Sequence, residues 1–181
     1  MPGEQVQRLE DSGVQLDPMT CRQVLGSFCT GITVLTAELD GEPAGMTCQA
    51  FVSLSLDPPR VITCPGLSSR SWPKIRQAGT FCVNVLAGHQ EPLSRAFSKS
   101  STDKFDGVPW SPGSTGAPRL DGALAWIECS IESSTVVGDH YVVVGRILDI
   151  EDGKGREPLL YFRGRYGTMA PTPDPLTCAA R

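Results

Sequence analysis

The chemistry open to this chain is bounded first by its histidines, of which there are two, His89 and His140. Neither has a second histidine or a cysteine and carboxylate cluster at ligand spacing, so the sequence predicts no metal site. Acid–base schemes are confined to those two side chains, and no G-x-S-x-G elbow offers a serine nucleophile. Seven cysteines are present: Cys21, Cys29, Cys48, Cys64, Cys82, Cys129 and Cys178. Their number is odd and no two form a C-x-x-C pair. Phe81-Cys82-Val83 is typical of their apolar surroundings, so free buried thiols are expected. Without a histidine beside it to lower its pKa, none of them reads as a nucleophile.

Anion chemistry has more to draw on. Ser69-Arg70-Ser71 precedes a short helical run, and hydroxyls, free backbone N–H groups and an arginine at a helix start favour an anion. A plain N-cap by Ser71 accounts for the same residues. The stretch from Gly45 to Pro59 sets the polar Thr47, Gln49, Ser53 and Ser55 among the apolar Met46, Cys48 and Ala50, and stops at Pro58-Pro59. A strand serving only as core has little use for so many hydroxyls and amides. A strand presenting backbone and small polar groups to a flat, polar-edged ligand needs them. Thr30-Gly31-Ile32-Thr33 and Arg163-Gly164-Arg165-Tyr166 read equally well as ordinary turns. Neither G-x-G-x-x-G nor G-x-x-x-x-G-K occurs, so a nucleotide would have to be held in some other way.

These residues need elements to position them. Asp17-Pro18 reads as an N-cap with proline in the first turn. Cys21, Val24, Leu25 and Phe28 follow as one apolar stripe, predicting a helix that closes the end of a barrel or sheet. Gly31–Glu38 is strand-like, and Asp40-Gly41 signals a hairpin into the Gly45–Pro59 stretch. Arg60–Pro65 and Phe81–Leu86 are further strands, separated by a short helix over Trp72–Ala78 that Gly79 stops. His89–Phe97 predicts another helix, and 98–120 a long loop rich in Ser, Gly and Pro. Ile127–Glu132, Tyr141–Ile150 and Leu159–Arg163 complete about seven strands and three short helices. Tight turns between strands exclude a parallel βαβ sheet and predict an antiparallel barrel, mainly β.

With 181 residues, 40% of them hydrophobic, the chain has the size of one domain with a real core. The expected organisation is an N-terminal tail over 1–16, the domain over 17–169 and a C-terminal tail over 170–181. A net charge of −4 argues against nucleic acid as a partner. No apolar run approaches the roughly 20 residues that span a bilayer, and the N-terminus lacks the basic and apolar regions of a secretion signal. No membrane association and a cytoplasmic location are the expectations.

Taken in order, the segments Thr30–Val34, Gly45-Met46-Thr47, Ser53–Pro59, Ser71-Trp72, Phe81–Leu86, Asp103-Lys104-Phe105, Gly138-Asp139-His140 and Phe162–Tyr166 resemble the flavin reductase-like family. These are the reductase components of two-component flavin-dependent monooxygenases. The resemblance spans about Asp17 to Tyr166. It implies a Greek-key split β-barrel that works as a homodimer and binds FMN or FAD. It also implies NADH or NADPH as hydride donor, and release of free reduced flavin to a partner monooxygenase such as an aromatic hydroxylase.

By the same resemblance, Thr30, Gly31, Ile32 and Thr33 lie beside the flavin ring or its ribityl chain. Thr47, Cys48, Gln49, Ala50 and Ser53 contact the ring and its polar edge, and Ser69 and Ser71 reach the phosphate. Lys104 and Phe105 cover the flavin from the long loop. His140, the catalytic candidate, places the nicotinamide with Tyr166 and Arg163. Where many relatives carry Asn-Ser before the Phe at this point, the chain has Gln49-Ala50, which removes one hydroxyl bond of about 1 kcal/mol. Two other readings are a split-barrel oxidase or monooxygenase that retains its flavin, and a non-catalytic flavin- or haem-binding barrel.

Overall fold

The computed structural model describes residues 16–101, 103–153 and 157–169. Both expected tails therefore lie outside the described residues, apart from Leu16. Local turn chemistry sets the strand pairing. Asp40 and Gly41 have φ of 55° and 83° and join β2 (Thr33–Leu39) to β3 (Glu42–Cys48). Two successive positive-φ residues give a hairpin loop whose twist matches that of the strands. Arg163 and Gly164, with φ of 47° and 77°, repeat the device between β11 (Leu159–Phe162) and β12 (Arg165–Thr168). Gly138 (φ 60°) starts the two-residue turn between β9 (Ala125–Val137) and β10 (His140–Asp152).

The other strands are β1 (Thr30–Gly31), β4 (Phe51–Leu56), β5 (Pro59–Thr63), β6 (Thr80–Val85), β7 (Trp110–Pro112) and β8 (Pro118–Leu120). A seven-stranded sheet runs in the order β3-β2-β6-β9-β10-β5-β4, beside a β1-β11-β12 sheet and a β7-β8 hairpin. Every pairing is antiparallel.

The two edge strands of the large sheet, β3 and β4, are neighbours in the chain, separated only by Gln49 and Ala50. Seven flat strands would hold these edges about 29 Å apart. The link from Cys48 to Phe51 spans at most about 11 Å. The sheet therefore has to curl until its edges meet at the link, where they do not pair with each other. This is the split of a split barrel. Two side bonds pin the junction to β5: Cys64 N–H donates to Ala50 C=O (3.3 Å), and Cys48 Sγ lies 3.1 Å from Thr63 Oγ1.

Three helices decorate the barrel. In α1 (Pro18–Leu25), Asp17 accepts from Thr20 N–H as the expected N-cap. The stripe of α1 does not close the barrel, however. No residue of this helix is buried, and Val24, Leu25 and Phe28 are more than three-fifths exposed. The helix α2 (Trp72–Ala78) ends at a left-handed Gly79 and buries Trp72 and Ile75. A single 3-10 turn, Gly88–Gln90, leads into α3 (Glu91–Ser98), which buries Ser94 and Phe97.

Both faces of β2 are covered, and this divides the core. Leu35 and Ala37 pack with Val61, Phe81, Val83, Cys129 and the two α2 side chains. Ile32 and Val34 pack on the other side with Leu86, Phe97, Leu120 and Leu159. Burying each such large apolar side chain contributes about 1.5–3 kcal/mol.

Four expectations are corrected here. The Gly45–Pro59 stretch is two strands, the last strand is a hairpin, Thr30-Gly31 pairs with β11, and the long loop contains β7 and β8. That loop is held by groups from distant strands. Asn84 Oδ1 accepts from Leu120 N–H, and the fully buried Glu128 accepts from Ser114 and Thr115 N–H. Arg119 bonds the same Glu128 through Nε (2.6 Å) and pairs with Asp149 and Glu151.

Candidate functional site

A cleft of about 360 Å³ opens between β3, the loop before α2, and the end of α3. Its walls differ in chemistry. One is apolar and aromatic, formed by Ile32, Met46, Phe97, Tyr161 and Tyr166. The other carries Thr47, Ser68, Ser69, Ser98, Ser100 and the cations Arg70, Lys99 and Lys104. No carboxylate lines it among the described residues. An apolar slot joined to a hydroxyl and cation rim suits a flat heteroaromatic ring with an anionic tail. Larger hollows lie beside α1, which buries none of its residues, and along β11 and β12, where no lysine or serine among the described residues lines the wall.

Each wall is set by local structure. Gly45 is required where β3 passes α3: a Cβ there would stand 2.5 Å from the Phe97 ring and 3.2 Å from Phe105. Thr47 Oγ1 donates to Ser94 C=O (2.6 Å), which fixes the same crossing. The Tyr166 hydroxyl lies 2.9 Å from Ser94 Oγ, its ring meets Tyr161 edge-on, and the Arg95 guanidinium covers it at 4.8 Å. Ser69 Oγ accepts from Trp72 N–H (3.1 Å) and contacts Met46 sulfur (3.2 Å). Ser71 is the N-cap residue by position, yet its side chain makes no cap bond.

Lys104 ties these parts together. Its ammonium donates to Gly45 C=O (3.0 Å), Ser71 Oγ (3.0 Å) and Phe97 C=O (3.2 Å). All three of its donors are thereby used, and partial burial pushes its pKa down.

Of the residues expected from sequence, Ile32, Thr47, Gln49, Ser69, Lys104 and Tyr166 line the cleft. Gln49 Nε2 donates to Thr30 Oγ1 (2.8 Å), which places Thr30 just behind that lining. Ser71 reaches it through Lys104. Thr33 and Cys48 point inward: Thr33 Oγ1 donates to Cys48 C=O, and Cys48 is packed in the core. Burial pushes the Cys48 thiol pKa up, as inert core thiols require.

Phe105 stands behind the wall, edge-on to Phe97 and Trp110. Gly31 and Ala50 flank the lining without forming it, and Ser53 is exposed on β4 opposite Val61. Arg163 lies in the β11–β12 turn, donating from Nε to Ser27 Oγ (3.3 Å) and lying over the Phe162 ring.

His140 sits at the rim. Its strand start bridges to Gly66, a lining residue, and its Nε2 is 3.6 Å from where a Cβ on Gly66 would stand. Nδ1 lies 2.6 Å from Asp139 Oδ1, and that contact holds the Asp139 carboxyl below the usual range. The carboxylate holds Nδ1 and leaves Nε2 on the Gly66 side of the ring. Arg70 of the Ser69-Arg70-Ser71 anion site lines the cleft too, and Met46, Gly66, Ser68, Tyr161 and the run Phe97–Ser100 line it beyond the residues expected.

A split antiparallel barrel whose seam carries an aromatic slot and a cationic rim defines a flavin-binding type of reductase fold. The chain belongs to the flavin reductase like domain family, whose profile matches residues 25–170. It is 46% identical over 156 residues to HsaB, the reductase subunit of a flavin-dependent monooxygenase from Rhodococcus jostii (strain RHA1). That match covers 86% of this chain and 80% of the relative.

Among solved structures it is similar to nitrilotriacetate monooxygenase component B from Mycobacterium thermoresistibile, with a TM-score of 0.82 and 43% identity. The match covers 86% of this chain and 90% of that one. It is also similar to the NADH:FAD oxidoreductase SgcE6 of Streptomyces globisporus C-1027, solved with NAD and FAD fragments. There the TM-score is 0.82 and the identity 38%, over 88% of this chain and 99% of that one.

Proposed function

We propose that this protein is an NAD(P)H:flavin oxidoreductase that supplies free reduced flavin to a partner monooxygenase, with FAD or FMN as the flavin and NADH or NADPH as donor. The observation that carries the reading is the cleft itself, in which an aromatic slot meets three cations and no carboxylate among the described residues. The relatives named as reductase subunits support it. A flavin held there supplies hydride acceptance from a reduced nicotinamide, which is the cofactors' own chemistry.

The residues of this chain bind and orient. Ile32, Tyr161 and Tyr166 exclude water from the ring, and Thr47 and Gln49 offer polar contacts at its edge. Ser69, Ser71 and Arg70 hold the phosphate. His140, oriented by Asp139, holds the nicotinamide at the rim. So little acid–base work is asked of the chain that two histidines suffice. The cytoplasm is the proposed setting, and the six described cysteines are all free, as a reducing compartment would keep them.

The working unit proposed is a homodimer. Two stripes in the single chain are apolar and exposed: Met19, Val24 and Leu25 on α1 with Phe28 just after it, and Val52, Leu54 and Leu56 on β4. Patches of this kind mark contact surfaces, and a twofold axis would pair them. Light scattering after size exclusion should give twice the 19.4 kDa chain mass. A monomer at micromolar concentration would contradict this part.

The activity is tested by following NADH and NADPH oxidation with FMN, with FAD and without flavin. Added flavin should stimulate oxidation without any third component. No stimulation by either flavin would overturn the reading, and oxidation that waits for an organic substrate would favour a flavin-retaining oxygenase.

A further inference from the structure

The cleft has two stations of the same composition. Ser69-Arg70-Ser71 stands before α2, and Ser98-Lys99-Ser100 spans the last residue of α3 and the two that follow. Ser69 and Arg70 reach the cleft from the loop before α2, and Ser98, Lys99 and Ser100 reach it from the end of α3. Neither the Arg70 nor the Lys99 side chain makes a hydrogen bond or ion pair with another described residue; the Lys99 backbone N–H caps α3 by donating to Ala96 C=O (3.3 Å). Both are exposed, so their charges are available at the mouth. The chain as a whole is negative, at −4, yet it gathers three cations here with no lining carboxylate among the described residues. Such a site attracts anions out of proportion to its size.

Lys104 sets the distance between the stations. One ammonium donates to Ser71 Oγ at 3.0 Å and to Phe97 C=O at 3.2 Å. The first bond ends in the Ser69–Ser71 triplet, and the second on the residue that precedes Ser98. The third goes to Gly45 C=O, so Lys104 has no donor left for a ligand and contributes positive potential only. Direct bonds to an anion must come from Arg70, Lys99 and the serine hydroxyls. The two stations are thus adjacent, separate and fixed to a common post.

A phosphate monoester can occupy one such station. A diphosphate diester presents one anionic group to each. We propose that Lys99, with Ser100, is a second phosphate station that makes this cleft select the diphosphate-bearing flavin, FAD, over FMN. The inference rests on the flavin reading above and adds to it the specificity residue and the ligand class. Arg70 and the Ser69 side serve the phosphate nearer the ring, which both flavins share.

The test measures equilibrium binding of oxidised FAD and of FMN to the full chain, by dialysis, with no nicotinamide present. Lys99→Met should weaken FAD about tenfold, the size of one charge-assisted hydrogen bond, and shift FMN less than about twofold. Arg70→Met should weaken both flavins together. Lys99 is exposed and bonds to no described side chain, so its substitution should leave the melting temperature unchanged. Equal weakening of FAD and FMN by Lys99→Met, or no change in either, overturns the second station. A change confined to NADH or NADPH affinity, measured separately, also overturns it, because the anion read by Lys99 would then be the donor's diphosphate. If the wild-type chain binds neither flavin, it is the flavin reading itself that fails.

Discussion

Glu128→Ala should destabilise the protein by about 3–5 kcal/mol, as much as truncating a large core aromatic. Glu128 is fully buried on β9 and accepts from Ser114 N–H, Ser114 Oγ, Thr115 N–H and Arg119 Nε. Alanine leaves those donors without an acceptor, at about 1–3 kcal/mol for each one that stays dry. Arg119 keeps Asp149 and Glu151, so the loss falls mainly on the loop that Glu128 anchors.

Burial pushes the Glu128 carboxyl up. The hydrogen bonds from Thr115, Arg119 and Ser114 outweigh it and hold the group at about 2, against 4.5 when unfolded. A folded pKa below the unfolded one makes the contribution complete above pH 4.5, and it is lost as pH falls towards 2. The displacement corresponds to about 3 kcal/mol. Urea melts of wild type and Glu128→Gln from pH 7 down to pH 2.5 check this. Wild type should lose more stability than the variant below pH 4.5, and parallel curves would refute the assignment.

His140→Ala should lower kcat/KM for the reduced nicotinamide by about 10- to 100-fold while the flavin Kd moves less than about threefold. The range is that of losing one or two hydrogen bonds to a charged or oriented partner. The asymmetry follows from position. His140 touches the cleft only at Gly66 on its rim, whereas Ile32, Thr47 and Tyr166 are in its walls. Stopped-flow mixing of reductant with the preformed flavin complex separates the two effects. Parallel losses in flavin and nicotinamide binding would move His140 into the flavin site, and no loss at all would remove it from the chemistry. Asp139→Asn should reproduce part of the effect, since Asp139 acts only through the His140 ring.

Where structure is decided by neighbours in sequence, the chain was legible. Asp40-Gly41 gives the hairpin its two positive φ values, Asp17 caps α1, and Gly79 ends α2 in the left-handed conformation. The split at Gln49-Ala50 was not legible, because apolar residues recur at every second position from Met46 to Leu56 straight through it. Only the pairing of β3 with β2 and of β4 with β5 breaks the strand there. The β7–β8 hairpin was hidden for a similar reason: its anchors, Asn84 and Glu128, come from strands elsewhere in the chain. The fate of α1 was illegible too, since an apolar stripe does not say what will cover it.

The site shows the same limit at finer grain. The resemblance named runs of adjacent residues, Thr30–Thr33 and Thr47–Ala50, as cofactor contacts. Successive side chains on a strand face opposite ways, so a run cannot present every member to one cleft. Ile32, Thr47 and Gln49 line it, while Thr33 and Cys48 turn into the core. The run Phe97–Ser100 was missed although a signal existed, the repetition of a Ser-cation-Ser pattern already noticed at Ser69–Ser71.

The order of strands in the large sheet also decides when the site can exist in time. The β4–β5 hairpin joins the other five strands only through β10, whose Gly145 pairs with Val61. Until His140–Asp152 has been made, that hairpin has no third strand to pair with and the seam has only one strand-paired side. Tyr161 and Tyr166, which finish the aromatic wall, come later still. At about 5–20 residues per second, a ribosome spends most of the chain's synthesis on a protein that cannot yet grip a cofactor. Pairing over such separations also places folding in the slow range of milliseconds to seconds. The aromatic wall of the cleft is complete only once Tyr166 has been made.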